Sequence, residues 1–265
     1  MNSTAPLRVR LVSRPQFDAN EFLAFLATTR TDWRRSPNAG EPQEIIEAAG
    51  RVCYMSFGRN QSDRDNREYI RNLVRMGHES VLEHVSWGFL ITGMSRALSH
   101  QVVRHRVGFA FSQLSQQYHD ESDTSFSMPL EITGHPRAEA AWERAMNAAR
   151  EAYTEILESL TDDANDDLDA RLNQRELRRA IRSAARSVLP SCTETILFMT
   201  VNARALRHFF TVRGSIEGDR EMRLLCAEIF KAVVPEAPAV FFDFRLVTLE
   251  DGTELVQRLE TAEGS

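Results

Sequence analysis

"TETILFMTVNARALRHFFTVRG", residues 193–214, sets the reading of the whole chain. Its first part, "TETILFMTV", is rich in β-branched and aromatic residues and predicts a strand. Its second part, "NARALRHFFTVR", predicts a helix that starts at Asn202, a side chain suited to an N-cap. Arg204 and His208 are four apart and share a helix face. Arg213 falls at the helix end, where a cation also complements the macrodipole, and that alone is a sufficient structural reason for it.

Similar patterns extend in both directions. "LRVRLVS" (7–13) alternates and predicts a strand, as does "HVSWGFLITG" (84–93), with Val85, Trp87, Phe89 and Ile91 on one side. Helices are predicted at 19–30, 43–55, 63–77, 94–106, 175–190 and 220–234, with Gly77 as a C-cap and a stop before Pro190. Between 135 and 160, Trp142, Met146, Ala149, Tyr153, Ile156 and Leu160 recur at helical spacing, giving a long amphipathic helix. Residues 31–42 read as a loop, "TDDANDDLD" (161–169) as a loop or helix start, and 239–257 as a strand or hairpin turning at "EDGT". Strands interleave with helices without regular βαβ alternation. The predicted class is therefore α+β, mixed helices around an antiparallel-type sheet. One domain is expected over 1–265, with 1–40 a variable N-terminal extension and 255–265 a loose tail.

The composition narrows the function. A net charge of −6 argues against a general polyanion binder, so a nucleic-acid-binding role for the basic segment is disfavoured. Lys231 is the only lysine, and the other basic residues are arginine. Cys53, Cys192 and Cys226 are far apart and form no CxxC, which fits a reducing compartment and neither a disulfide framework nor a zinc site. The N-terminus lacks an apolar signal core and no run reaches transmembrane length, so a cytoplasmic protein is expected, with no membrane partner.

Four clusters carry candidate chemistry. Taken as a helix, 94–106 puts Gln101, Arg104 and His105 on the face that also bears Met94, Ala97 and Leu98. Polar groups pointing the way a core points need partners: an internal ion pair or a bound anion. "GHESVLEH" (77–84) places Ser80 and Glu83 three apart, as in a capping box. His78, Glu83, His84, His100 and His105 lack HExxH spacing, and no metal is expected. "ARSVLP" contributes Arg186, and 200–214 contributes Asn202, Arg204, His208 and Arg213. GxGxxG, GxxxxGK[ST] and GxSxG are all absent.

Taken in order, "AAGRVCY", "GHESVLEH", "RHR…SQLSQ", "ARSVLP", "NARALRHFF" and "APAVFFDFRLVTLEDGTE" resemble the flavin-dependent thymidylate synthase family. The resemblance implies a homotetrameric enzyme with active sites between subunits. It implies reductive C5-methylation of dUMP to dTMP, with FAD as cofactor and methylenetetrahydrofolate and NADPH as co-substrates, and no cysteine nucleophile on the base. Residue by residue, it implies flavin contacts for Ser80, Arg104, His105, Arg106, Gln113, Asn202, Arg204 and His208. It implies substrate contacts for Gln101, Arg104, Gln113, Leu114, Ser115, Gln116, Gln117, Arg186 and Arg213. Arg213 would be catalytic, bonding the uracil and stabilising charge as it develops on the ring.

The chain departs from that pattern at three places. Eight residues, "VGFAFSQL", separate Arg106 from Ser115 where the family has seven, and Gly108 is the expected site of a bulge or loop. Gln117 stands where an arginine is usual and Glu217 where a histidine is usual. The loss of a cation beside a presumed phosphate keeps open a second reading, the same chemistry on UMP as in nucleoside-antibiotic pathways. A catalytically inactive flavin or nucleotide sensor is a further alternative.

Overall fold

The computed structural model describes residues 6–166 and 174–259. It is an α+β fold. β1 (Arg8–Ser13), β2 (Ser86–Ser95), β3 (Phe109–Gln113) and β4 (Glu194–Asn202) form one sheet in the order β1-β2-β4-β3. β5 (Phe244–Thr248) and β6 (Glu254–Arg258) form a separate antiparallel hairpin that pairs Leu246 with Val256. The helices are α1 (Ala19–Thr28), α2 (Glu41–Val52), α3 (Asn66–Arg75), α4 (Arg96–Val102), α5 (Pro136–Asp166), α6 (Gln174–Ala185), α7 (Ala203–Phe209) and α8 (Arg220–Val233). Among the described residues no helix is long and apolar enough to cross a membrane.

Along the chain the residues group into two compact units. The first contains Ile91–Arg104 and Ser112–Leu197, the second Val9–Leu90, His105–Phe111 and the chain from Phe198 onward. In the first, α5 covers Phe126 with Trp142, and Tyr153 is fully buried with its hydroxyl accepting the Glu121 N–H. The other apolar residues of that helix face are only half-buried. In the second, Leu26, Trp33, Ala48 and Phe57 form one cluster, so residues from the expected N-terminal extension enter a core. Phe210, Phe230, Phe241 and Phe244 form another, with ring centroids 5.5–6.4 Å apart.

Several local expectations are corrected. The predicted 94–106 helix is shorter: β2 runs on through Ser95, and Ser95 Oγ then caps α4 by accepting the Leu98 N–H. α4 ends at Val102, so Arg104 and His105 lie beyond it and share no helix face with Gln101. Ser80 and Glu83 form no capping box. They sit in a 3-10 turn, Glu79–His84, that has no side-chain cap, while the true capping box is Asp65 with Glu68 at the start of α3. Helix α5 continues through "TDDAND" to Asp166, and the remainder of that acidic run lies outside the described residues. β6 reaches Arg258 and buries Leu255 and Val256, so the segment expected to be loose from 255 is ordered to that point; 260–265 lies outside the described residues.

Candidate active site

In the second unit the strand-to-helix junction at Asn202 builds one wall of a cavity of about 520 Å³. Asn202 Oδ1 accepts the Ala205 N–H at 2.8 Å, capping α7, and the Asn202 N–H donates to the Gly108 carbonyl at 3.0 Å. Asn202, Arg204, Ala205, His208 and Thr211 face the cavity from this side, Glu79 and Glu83 from the 3-10 turn, Val107 and Gly108 from the connection before β3, and Arg207 and Arg258 complete the lining. Ser80 is exposed between the two glutamates and is not part of the lining.

The connection after Arg106 is a tight turn. The Phe109 N–H donates to the Arg106 carbonyl, closing a four-residue turn, and Gly108 in its third position has φ +76°. A turn of this kind calls for glycine there. A Cβ on Gly108 would also lie 2.7 Å from both Asn202 Nδ2 and Ala205 Cβ. Gly108 is therefore required twice, by its backbone and by its approach to the cavity wall.

The arginines of this unit differ in how their charge is used. Arg207 is 3% exposed and fully engaged: Nη1 and Nη2 donate to Asp243 Oδ1 and Oδ2, Nη1 also to the Val240 carbonyl, and Nε to Glu79. Burial pushes the Asp243 carboxyl up, but hydrogen bonds and charge from Arg207, with Arg258 nearby, bring it below the usual carboxylate range. Among the described residues Arg204 makes a single ion pair, to Glu83, with both side chains about half exposed (51% and 47%). Such a pair is worth only about 0–1 kcal/mol, so Arg204 is available to an anion. Arg213 donates Nε to His105 Nε2 at 3.2 Å, and its Nη groups have no partner among the described residues.

Arg213 sits in one turn of π-helix, Phe210–Gly214, that follows α7. Gly214 ends it against β6, where a Cβ would meet the Val256 carbonyl at 2.8 Å. His105 packs edge-on to Phe209, with ring centroids 5.0 Å apart. Its pKa is lowered by burial first and then by the charges of Arg213 and His208. The imidazole is thus held neutral, as an acceptor for Arg213. An NMR titration of His105 is expected to give a midpoint below that of a free imidazole, about 6.5. Between the two values the unfolded chain binds more protons, so this contribution to stability rises with pH and is lost as pH falls through that window. A midpoint at or above the free value contradicts the arrangement.

The residues expected on the substrate side, Arg213 apart, lie in the first unit. Gln113 Nε2 donates to Ser99 Oγ and Thr195 Oγ1, and Leu114 is fixed by its N–H to the Ile196 carbonyl and its carbonyl to Arg96 Nη2. Ser115–Tyr118 is a turn in which Gln117 N–H points at Ser115 Oγ. Gln116 is buried and its Nε2 has no partner among the described residues. Burial pushes the Arg96 guanidinium down; Glu121 opposes this and Arg186 adds to it, which puts Arg96 and Arg186 in one electrostatic neighbourhood. Gln101, half-buried in α4, and Arg104, exposed, also belong to this unit, whereas Arg106 and Glu217, both exposed, lie in the second.

Two residues in these neighbourhoods escaped the sequence reading. Arg207 is the anchor beneath the cavity, and its sequence signal was Asp243 inside "FFDF", a carboxylate that can be buried only with a partner. Arg179 donates Nε to Gln117 Oε1 at 2.9 Å, a contact across 62 positions that no local pattern announces. Among the described residues no group of three His, Cys, Asp or Glu is arranged to hold a metal ion. None of the three cysteines is in a disulfide, and Cys226 is fully buried, its thiol pushed far up by burial.

Comparison with known proteins adds a lineage. The family model described as "Thymidylate synthase complementing protein" matches residues 38–239. A protein of Mycobacterium sp. (strain JLS) named flavin-dependent thymidylate synthase is 40% identical over 256 residues, covering 96% of each chain. Proteins of the same name from Mycolicibacterium gilvum and Mycobacterium avium are 39% identical over the same length and coverage.

Proposed function

Because the chain belongs to the thymidylate synthase complementing protein family and is an enzyme of methyltransferase type, we propose that it methylates dUMP at C5 to give dTMP, reductively and with FAD. Methylenetetrahydrofolate is the carbon donor in this reading and NADPH the reductant. The working form is a homotetramer of single-domain chains with active sites between subunits.

The observation that carries the proposal is the cavity behind Asn202. Its donors suit a flavin dinucleotide. Asn202, Arg204 and His208 line it, and Gly108 keeps its wall free of a side chain. Glu83 competes for Arg204, but magnitudes decide the contest. A half-exposed ion pair contributes about 0–1 kcal/mol, and a charged hydrogen bond to a diphosphate contributes about 1.5–3 kcal/mol. Arg207 and Arg258 remain committed to Asp243. When bound, the flavin supplies the hydride chemistry of the reduction.

The chain's own groups bind and polarise. We assign the free Nη donors of Arg213 to the uracil, where a fixed guanidinium stabilises the anionic form of the ring. Neutral His105 orients that guanidinium by accepting from Nε. Gln101, Arg104, Gln113 to Gln117 and Arg186 are assigned to the nucleotide, and Ser80, Arg104, His105, Arg106, Gln113, Asn202, Arg204 and His208 to the flavin.

Gln117 does not favour UMP. It marks a change on the phosphate side, and the 5′-phosphate is common to UMP and dUMP, so a phosphate contact cannot discriminate between them. The purified protein is expected to carry or take up FAD and to form dTMP from dUMP, methylenetetrahydrofolate and NADPH, with a higher kcat/KM on dUMP than on UMP. Protein that binds no flavin and forms no dTMP overturns the proposal; a preference for UMP overturns only the substrate assignment.

A further inference from the structure

Gln117 is neutral, but its surroundings are not. α6 carries Arg175, Arg178, Arg179 and Arg182 against a single carboxylate, Glu176. Arg175, Arg179 and Arg182 recur at spacings of four and three, so they share one face, and that face lies along the turn that holds Gln117. Arg179 Nε donates to Gln117 Oε1 at 2.9 Å. The guanidinium carbons of Arg175 and Arg179 lie 5.9 and 5.8 Å from the Tyr118 ring centroid, and Arg182 Nη1 donates to the Tyr118 carbonyl at 2.9 Å.

Part of this α6 set has other contacts. Arg182 faces Asp120, whose carboxyl burial raises, while hydrogen bonds from Ser122 and then the Arg182 charge bring it below the usual range. Arg178 reaches back to Gln174 on its own helix. Arg179 differs. Among the described residues its one carboxylate partner is Glu176, 3.5 Å away, with both side chains substantially exposed (42% and 55%). With Nε on Gln117 and Nη1 only loosely paired, the fork retains donors for an anion beside Ser115–Gln117.

We infer that Arg179 supplies, from α6, the phosphate-binding charge that the substrate segment lacks at position 117. This rests on the proposed nucleotide-binding role of that segment. The ligand class is a nucleoside 5′-monophosphate, and Gln117 serves as the bracket that holds the guanidinium over its own turn. Arg179 is thus a phosphate-binding residue on an element other than the one expected to carry the cation.

The test is calorimetry of dUMP binding to flavin-loaded full-length protein, with flavin absorbance and thermal melting recorded on every variant. Arg179→Gln is expected to weaken dUMP binding about tenfold, since a charged donor is replaced by a neutral one. Gln117→Arg added to Arg179→Gln returns the charge and restores the affinity. Gln117→Arg alone, in a site already supplied with a cation, gains less than about threefold. Unchanged affinity in Arg179→Gln, a double variant that fails to recover, or a tenfold gain from Gln117→Arg alone each overturns the Arg179 assignment while leaving the flavin enzyme in place. Wild-type protein that takes up flavin but binds no dUMP overturns both.

Discussion

Replacing Arg213 by alanine is expected to lower kcat by roughly 10²–10³-fold, the usual loss when one preorganised donor to a developing charge is removed. The expectation follows from where its charge goes. Its Nε is held by a neutral His105 and its Nη groups are free among the described residues, in a rigid π-turn fixed by Gly214 against Val256. Such a guanidinium is placed before the substrate arrives and needs no reorganisation during reaction. Arg213→Lys keeps the charge but loses the planar fork, and is expected to recover only part of the rate. Single-turnover formation of dTMP at saturating dUMP is the measurement, with flavin absorbance to verify an intact cavity. Undiminished turnover in Arg213→Ala removes Arg213 from the chemistry.

The largest effect on stability is expected at Asp243. Asp243→Ala leaves Arg207 buried and without its bidentate partner, and breaking a buried pair in this way costs roughly 3–5 kcal/mol. Urea denaturation should show the midpoint falling at constant m-value. Arg204→Met, which removes a half-exposed pair, should cost no more than about 1 kcal/mol and reduce flavin uptake instead. The pH dependence has a definite sign. The folded-state pKa of Asp243 lies below its unfolded value, about 3.9, so the stabilisation is complete above that value and is lost as pH falls through the folded one. Equal losses in Asp243→Ala and Arg204→Met would mean that burial does not separate the two arginines.

Patterns with a short period were legible in the sequence. Val85, Trp87, Phe89 and Ile91 alternate and are all buried, and Asn202 caps α7 at the predicted position. The segment 94–106 was misread because apolar spacing continues through Met94 and Leu98 while the backbone changes from strand to helix at Ser95. β3 was not recognised as a strand, since "FAFSQ" is short and its alternation half-polar.

By itself, the sequence determined most of the element types and the family. Each of these depends on local spacing or on motifs in fixed order. Only the tertiary structure decided which arginines are free. Arg204, Arg207, Arg213 and Arg179 are equivalent as letters. Arg207 is neutralised by Asp243, 36 positions away, Arg213 is held by His105, 108 positions away, and Arg179 is turned towards Gln117 across 62. Whether a cation holds the fold or awaits a ligand depends on its burial and on the nearest carboxylate in space, and neither is encoded in neighbouring residues.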